Sequence, residues 1–316
     1  EKEAQWQEAL GMFSDMHCRD LDPSVIAYNV AISAAGKGAQ WQDALGMLSS
    51  LRGRQLEPDV ITYGAALSAC ERGAHWHAAL GAFLDMRHRK LEANVITYNT
   101  AISASGKGNQ WPDAMGLFSS VRQRQIEPTV ITYSAAINAC ETGAQWQEAL
   151  HLFADMRRRQ MAPNVITYNA AFVALGKGVH SQEAASLFNR MRPRQLQPDA
   201  ITYIGAMGAC EKGAQWQEAL GMFCDMRRRR FEPIVACYNV ALSAAAKGAQ
   251  WQEALGMLLD IRRLNLSPDE FSYHTLASAC GKGARWQEAL SVGSEMRLCR
   301  LEPNIVTYSA AISACE

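Results

Sequence analysis

The amino-acid sequence predicts an all-α fold, a solenoid of stacked helix-turn-helix repeats, and three residue registers predict it. All nine tyrosines, Tyr28, Tyr63, Tyr98, Tyr133, Tyr168, Tyr203, Tyr238, Tyr273 and Tyr308, stand 35 residues apart. All eight tryptophans, Trp6, Trp41, Trp76, Trp111, Trp146, Trp216, Trp251 and Trp286, share a second register, with Ser181 in the missing slot. Pro23, Pro58, Pro128, Pro163, Pro198, Pro233, Pro268 and Pro303 form a third, with Ala93 the exception. A fixed period without insertion means one supersecondary unit per repeat, each burying its apolar face only against its neighbours.

Full repeats run over 25–59, 60–94, 95–129, 130–164, 165–199, 200–234, 235–269 and 270–304. Partial units at 1–24 and 305–316 complete what reads as one continuous array. The repeat 130–164 shows the elements in order. Thr132 is the expected cap of a first helix over Tyr133 to Glu141, with apolar residues at helical spacing. Gly143, matched by a glycine in all eight full repeats, is expected to end it in a left-handed C′ conformation. A second helix is expected over Gln145 to Arg159, with Glu148 in its first turn and Arg157 to Arg159 in its last. That charge order suits the helix macrodipole, and the Arg cluster reads as a solvated face. Pro163 then blocks continuation.

A longer period of 70 overlies the first. Cys-Glu recurs at Cys70–Glu71, Cys140–Glu141, Cys210–Glu211 and Cys315–Glu316, while Gly36–Gly38, Gly106–Gly108 and Gly176–Gly178 carry Gly-Lys-Gly. The array reads as copies of a two-repeat block.

Composition bounds function loosely. The 316 residues are 48% hydrophobic and 20% charged, with 31 basic and 31 acidic side chains, so net charge advertises no partner. A basic stripe on one face would suffice for one. No apolar run approaches the roughly 18 residues of a membrane span. Five of the nine cysteines (Cys70, Cys140, Cys210, Cys280, Cys315) share one register and none forms Cys-x-x-Cys, which reads as buried small residues rather than disulfides or a zinc site. The seven histidines share no register. Acids at Glu8, Asp43, Asp113, Glu148, Glu183, Glu218, Glu253 and Glu288 recur once per repeat. Helix stacking separates such residues by about 10 Å, too far to share an ion. No cofactor, metal, small-molecule substrate or catalysis is expected.

The period, the opening Val165–Asn169, the Glu148–Leu150 element, Met226 and the terminal Pro198–Asp199 resemble the pentatricopeptide-repeat family over the whole chain. The tetratricopeptide repeat shares the Ala149 and Phe153 spacing but has a 34-residue period and a W-x2-L-G opening that is absent here. Tryptophan at the start of the second helix departs from the family pattern and reads as packing between hairpins. The resemblance implies a right-handed superhelical α-solenoid that binds single-stranded RNA, about one nucleotide per repeat. It implies base choice by the fifth and last residues of a repeat. The interpretable pairs are Asn29/Asp59, Asn99/Thr129, Ser134/Asn164, Asn169/Asp199 and Asn239/Asp269; Gly64/Asn94, Ile204/Ile234 and His274/Asn304 have no assignment. Asn with Asp implies uracil, Ser with Asn adenine, and Asn with Thr a pyrimidine, hence a target 5′-U-n-Y-A-U-n-U-n-3′. Second residues, which pack on bases in the family, are Ile26, Ile61, Ile96, Ile131, Ile166, Ile201 and Phe271; they equally suit an inter-repeat core. Lys37, Arg72, Lys107, Lys177, Lys212, Lys247 and Lys282, two turns beyond the base-reading position, are expected to meet successive phosphates on the concave surface, with Thr142 the lapse. Cations at helix C-termini are also favourable in themselves.

Some family members carry a zinc deaminase or a nuclease. The His-x-Glu and Pro-Cys-x-x-Cys elements a deaminase needs do not occur here. The family setting is organellar RNA processing, stability or translation, the plastid ahead of the mitochondrion, and is compatible with a processing enzyme acting in trans. The alternative class is a protein-interaction scaffold of tetratricopeptide type. It separates from RNA binding on whether Asn29, Asn99, Asn169 and Asn239 share a face with the Lys37 series. Starting and stopping mid-repeat without an initiator Met, the chain is expected to be a fragment, with any transit peptide, capping helix or catalytic domain outside it.

Overall fold

The computed structural model describes residues 4–19, 21–191, 197–229, 231 and 233–315, and every regular element among them is an α-helix. The first helices are Val25–Lys37, Val60–Arg72, Val95–Lys107, Val130–Thr142, Val165–Lys177, Ala200–Lys212, Val235–Lys247, Glu270–Lys282 and Ile305–Cys315. The second helices are Ala4–Cys18, Trp41–Gly53, Trp76–His88, Trp111–Gln123, Trp146–Arg158, Ser181–Met191, Trp216–Arg228, Trp251–Arg263 and Trp286–Leu298. None is long and apolar enough to cross a membrane.

Two local expectations change. The first helix of 130–164 begins at Val130, because the cap is Thr129 and not Thr132. The Thr129 hydroxyl accepts the Thr132 N–H at 3.3 Å, and the Thr132 hydroxyl accepts the Thr129 N–H at 3.0 Å. This reciprocal capping box satisfies two orphan donors and is worth about 1 kcal/mol. Asp59 and Asp199 build the same box, and Asn94, Asn164 and Asp269 cap the same way. The last residue of one repeat therefore starts the helix of the next.

The conserved-register glycine is not left-handed. Gly143 has φ −78°, and the positive φ of 54° falls on Ala144. Ala144 N–H donates to the Glu141 carbonyl and Gln145 N–H to the Cys140 carbonyl, at 3.1 and 2.8 Å, a Schellman arrangement with Ala144 at C′. Gly143 is required by crowding instead: a Cβ there would stand 2.3 Å from Trp111 Cδ1. The same approach puts Trp41 against Gly73, Trp76 against Gly108, Trp216 against Gly248 and Trp251 against Gly283. The indoles thus pack between hairpins, as their apolar area suggests.

The contacts gather into two compact units, Glu1–Pro163 and Asn164–Glu316, where the sequence reads as a single array. Within each unit, first helices stack on successive first helices and second helices fill the outer flank. Tyr28, Tyr63, Tyr98 and Tyr133 in one unit, and Tyr203, Tyr238 and Tyr273 in the other, are fully buried. Several receive a phenylalanine edge-on from the preceding second helix: Phe13–Tyr28, Phe83–Tyr98 and Phe118–Tyr133 lie 4.9, 5.0 and 5.1 Å apart, and Phe223–Tyr238 5.0 Å. Each such pair adds about 0.5–1.5 kcal/mol beyond its buried area.

The 70-residue period is a packing alternation. Going from 25–59 to 60–94, Gly36 meets Ala69, with only 3.3 Å between a built Cβ and the alanine Cβ; Gly106 meets Ala139 at 3.0 Å. The next step is polar instead. Glu71 takes the Lys107 ammonium at 2.6 Å and the Ser103 hydroxyl at 2.9 Å, and Glu211 takes Lys247 at 2.8 Å and Ser243 at 2.7 Å. Gly-Lys-Gly and Cys-Glu are the two halves of this alternation. Cys70, Cys140, Cys210 and Cys280 are fully buried free thiols. Burial pushes Cys140 and Cys210 up to about 12, which makes them inert.

Candidate nucleic-acid interface

The fifth and last residues of a repeat meet across the repeat boundary. Asn29 Nδ2 donates to Asp59 Oδ1 at 3.5 Å, Asn169 Nδ2 to Asp199 Oδ1 at 3.4 Å and Asn239 Nδ2 to Asp269 Oδ2 at 2.9 Å. His274 and Asn304 approach to 3.3 Å in the same way. The helix cap explains the placement: each Asp is held at its N-cap by the third helical residue. Thr62 donates to Asp59 through its N–H at 2.8 Å and its hydroxyl at 2.7 Å, and Thr202 and Ser272 do the same for Asp199 and Asp269. Burial alone would raise the Asp59 carboxyl, but the Thr62 bonds and the Asn29 amide outweigh it and hold it below its ordinary value. The same balance lowers Asp199 and Asp269. All three are acceptor-only at neutral pH.

A carboxylate on one side forces the orientation of the amide. Its NH₂ turns to the Asp, so its oxygen faces the other way. In Asn169 and Asn239 that oxygen lies 2.7 Å from the Thr202 and Ser272 hydroxyls, each of which shares its single proton between the amide oxygen and the Asp199 or Asp269 carboxylate. In Asn29 it is buried and without a partner among the described residues, as is the oxygen of Asn99, whose repeat ends in Thr129 and not in a carboxylate. Thr129 is committed to its capping box, and Ser134 donates to the Val130 carbonyl at 2.8 Å. Asn164 spends its oxygen on the Thr167 N–H, at 2.9 Å.

The second residues are not core. Ile26 is 74% exposed, and Ile61, Ile96, Ile131, Ile166, Ile201 and Phe271 are likewise exposed. In seven of the eight full repeats a large apolar side chain stands in solvent beside the Asn or its counterpart, Ala236 being the exception, an arrangement soluble monomers reserve for contact surfaces. One groove is lined by Ile26, Asn29, Ser33, Lys37, Asp59 and Ile61, which places the base-reading pair, both flanking isoleucines and a cation on one face.

The basic register is exposed at Lys37, Arg72, Lys107, Lys177, Lys212, Lys247 and Lys282. Its members are not equivalent. Lys107 and Lys247 are held by Glu71 and Glu211, and Arg72 donates to the Gly36 carbonyl at 3.4 Å. Lys37, Lys212 and Lys282 have no anionic partner among the described residues. Two further groups were invisible in the sequence: the third-position hydroxyls of Thr202 and Ser272, and the glutamates that engage alternate lysines. Threonine at a fixed offset from the cap is the signal that marks the first.

The outer Arg clusters are exposed but not simply solvated. Arg52 bridges to Asp85 at 3.0 Å, and Arg227 to Asp260 at 2.8 Å, tying successive second helices together. Arg158 and Arg159 pair with Asp155 of their own helix.

These features define a helical-repeat solenoid in which four of the eight full repeats, 25–59, 95–129, 165–199 and 270–304, carry a complete polar, apolar and cationic triplet. Family models agree: the pentatricopeptide repeat domain matches residues 11–73, 46–109, 144–178 and 257–316, the PPR repeat family 93–142, and the PPR repeat 166–192 and 201–231. The chain belongs to the pentatricopeptide-repeat family. Among solved structures it is similar to pentatricopeptide repeat protein PPR10 in complex with an 18-nt psaJ RNA element, at TM-score 0.80 and 23% identity. That match covers 98% of this chain and 45% of the other. PPR10 from maize matches at TM-score 0.52 and 19% identity over 98% of this chain and 48% of the other. The chain thus spans under half the length of these proteins, and the likeness concerns the fold. No curated protein matches it in sequence.

Proposed function

We propose that the chain binds single-stranded RNA along its first helices, about one nucleotide per repeat, and does no chemistry of its own. One observation carries the reading. Asn29, held by Asp59, lines one groove together with exposed Ile26 and Ile61 and with Lys37. A polar amide can meet a base edge, and an exposed branched side chain beside it offers a face on which a planar base can lie. Uracil is the base that the family assignment of Asn with Asp implies there. The structural relative solved with an RNA element supports the same partner.

The target expected from the family assignments is 5′-U-n-Y-A-U-n-U-n-3′, weighted toward the repeats bearing Asn29, Asn99, Asn169 and Asn239. The biological role is RNA processing, stability or translation in an organelle, the plastid ahead of the mitochondrion, with any cleavage supplied by an enzyme in trans. Selection of bound RNA from a random pool tests this. Enrichment of that spacing supports the assignment; enrichment with another spacing refutes the code, and no enrichment refutes RNA binding.

A further inference from the structure

The tyrosine hydroxyls form a second set of sites, at the C-terminal ends of the second helices. In 60–94 the Tyr63 hydroxyl donates to the Asp85 carboxylate, which Arg52 and Arg89 also hold at 3.0 and 3.5 Å. In 130–164 Tyr133 donates to Asp155 at 2.6 Å, with Arg122 at 3.8 Å and Arg159 at 3.4 Å. In 200–234 Tyr203 donates to Asp225 at 3.0 Å, with Arg229 at 3.1 Å. Three repeats therefore share one device. A carboxylate is held by a buried phenol and by an arginine four residues on. In two of them an arginine of the preceding second helix joins.

Repeat 95–129 keeps every donor and lacks the acid. Tyr98 is fully buried, and its hydroxyl has no partner among the described residues. Arg87 holds the place of Arg52 and Arg122, and Arg124 that of Arg89 and Arg159. Ser120 stands where Asp85 and Asp155 stand, and its hydroxyl turns back to the Gly116 carbonyl at 2.9 Å. Arg87 and Arg124 are exposed with no carboxylate partner among the described residues. A buried hydroxyl without an acceptor is costly, and the two arginines at the register positions that hold Asp85 and Asp155 in the neighbouring repeats supply the matching charge. Repeat 25–59 also has serine, Ser50, but there Arg54 is already taken by Asp22 at 3.1 Å and His17 replaces the other arginine.

We infer that Tyr98, Arg87 and Arg124 form a receptor for one carboxylate from another chain, an Asp or Glu in an acidic segment of a protein partner. Carboxylate is favoured over phosphate because the same three positions hold an aspartate in the neighbouring repeats. The receptor belongs to the second-helix ends and not to the groove of Asn29 and Lys37, so the inference is independent of RNA binding.

The test uses the 316-residue chain, a fluorescein-labelled tetraglutamate peptide read by anisotropy at low salt, and inorganic tripolyphosphate as competitor. Saturable peptide binding is expected, weakened at least about fivefold by Tyr98→Phe, by Arg87→Gln with Arg124→Gln, and by Ser120→Asp, which tethers a carboxylate in the site. Ser120→Asp is also expected to raise the melting temperature, a gain that Arg87→Gln removes. Absent peptide binding, or binding indifferent to Tyr98→Phe and Ser120→Asp, overturns the receptor. An unchanged melting temperature in Ser120→Asp overturns its geometry. Displacement by tripolyphosphate at lower concentration than by free tetraglutamate overturns the assignment to carboxylate.

Discussion

Gly143 lies under the indole of Trp111, so close that a Cβ on the glycine would stand 2.3 Å from Trp111 Cδ1. The tryptophan belongs to one repeat and the glycine to the next, so this contact sets the distance between two hairpins. Gly143→Ala should destabilise the array by about 1–3 kcal/mol, the usual cost of overpacking. Trp111→Ala in the same chain should recover part of that loss. Thermal melting of the two single variants and the double variant measures the coupling, and strictly additive shifts would refute the contact as the cause.

The neighbouring residue makes the opposite prediction. Ala144 carries φ 54°, a left-handed conformation that costs an L-residue with a Cβ about 1–2 kcal/mol. Ala144→Gly should leave stability unchanged or raise it by about 1 kcal/mol, since glycine relieves this strain at some entropic cost. A clear drop in melting temperature would contradict the backbone assignment.

Asp59 both caps Val60–Arg72 and holds the Asn29 amide, and two substitutions separate the roles. Asp59→Ala should lower stability by about 1 kcal/mol through the lost cap. Asp59→Asn keeps a cap but removes the charge that orients Asn29. Its melting temperature should stay near that of the parent while the base preference at that repeat shifts. Equal RNA preferences for parent and Asp59→Asn would remove Asp59 from base choice.

The salt dependence of RNA binding should be shallower than the sequence suggests. Seven phosphate contacts give a slope of log K against log salt near −5, at about −0.7 per contact on single strands. Lys107 and Lys247 are already paired with Glu71 and Glu211. Contacts by the remaining five, Lys37, Arg72, Lys177, Lys212 and Lys282, give about −3.5. Glu71→Gln should free Lys107 and steepen the slope by about 0.7; a slope unmoved by that change would show that Lys107 faces no phosphate.

Acid should unfold the caps. Asp59, Asp199 and Asp269 all have carboxyls lowered from the ordinary value of 3.8, chiefly because Thr62, Thr202 and Ser272 bonds overcome the opposing effect of burial. A depressed folded-state pKa contributes stability above the unfolded value and loses it as pH falls through the folded one. The melting temperature should therefore decline from about pH 5 downward, and Asp199→Asn should flatten the decline. A decline that is identical in Asp199→Asn would place its origin elsewhere.

Much of this molecule is local and so was legible in the sequence. The period, the two helices per repeat, the proline stops and the acid-to-base order of the second helix depend on neighbours in the chain. The pairing of Asn29 with Asp59 was legible through family resemblance, which names the positions without saying why they meet. Tertiary structure decided the rest, because the deciding partners lie one repeat away. Gly143 looks like a left-handed helix stop until Trp111 is placed above it, whereupon the strain moves to Ala144. Ile26 suits a core or a surface equally until stacking leaves it 74% exposed. Lys107 and Lys212 are the same letter in the same register. Only Lys107 is captured by Glu71, because a charge is free or spent according to what the next helix brings within reach.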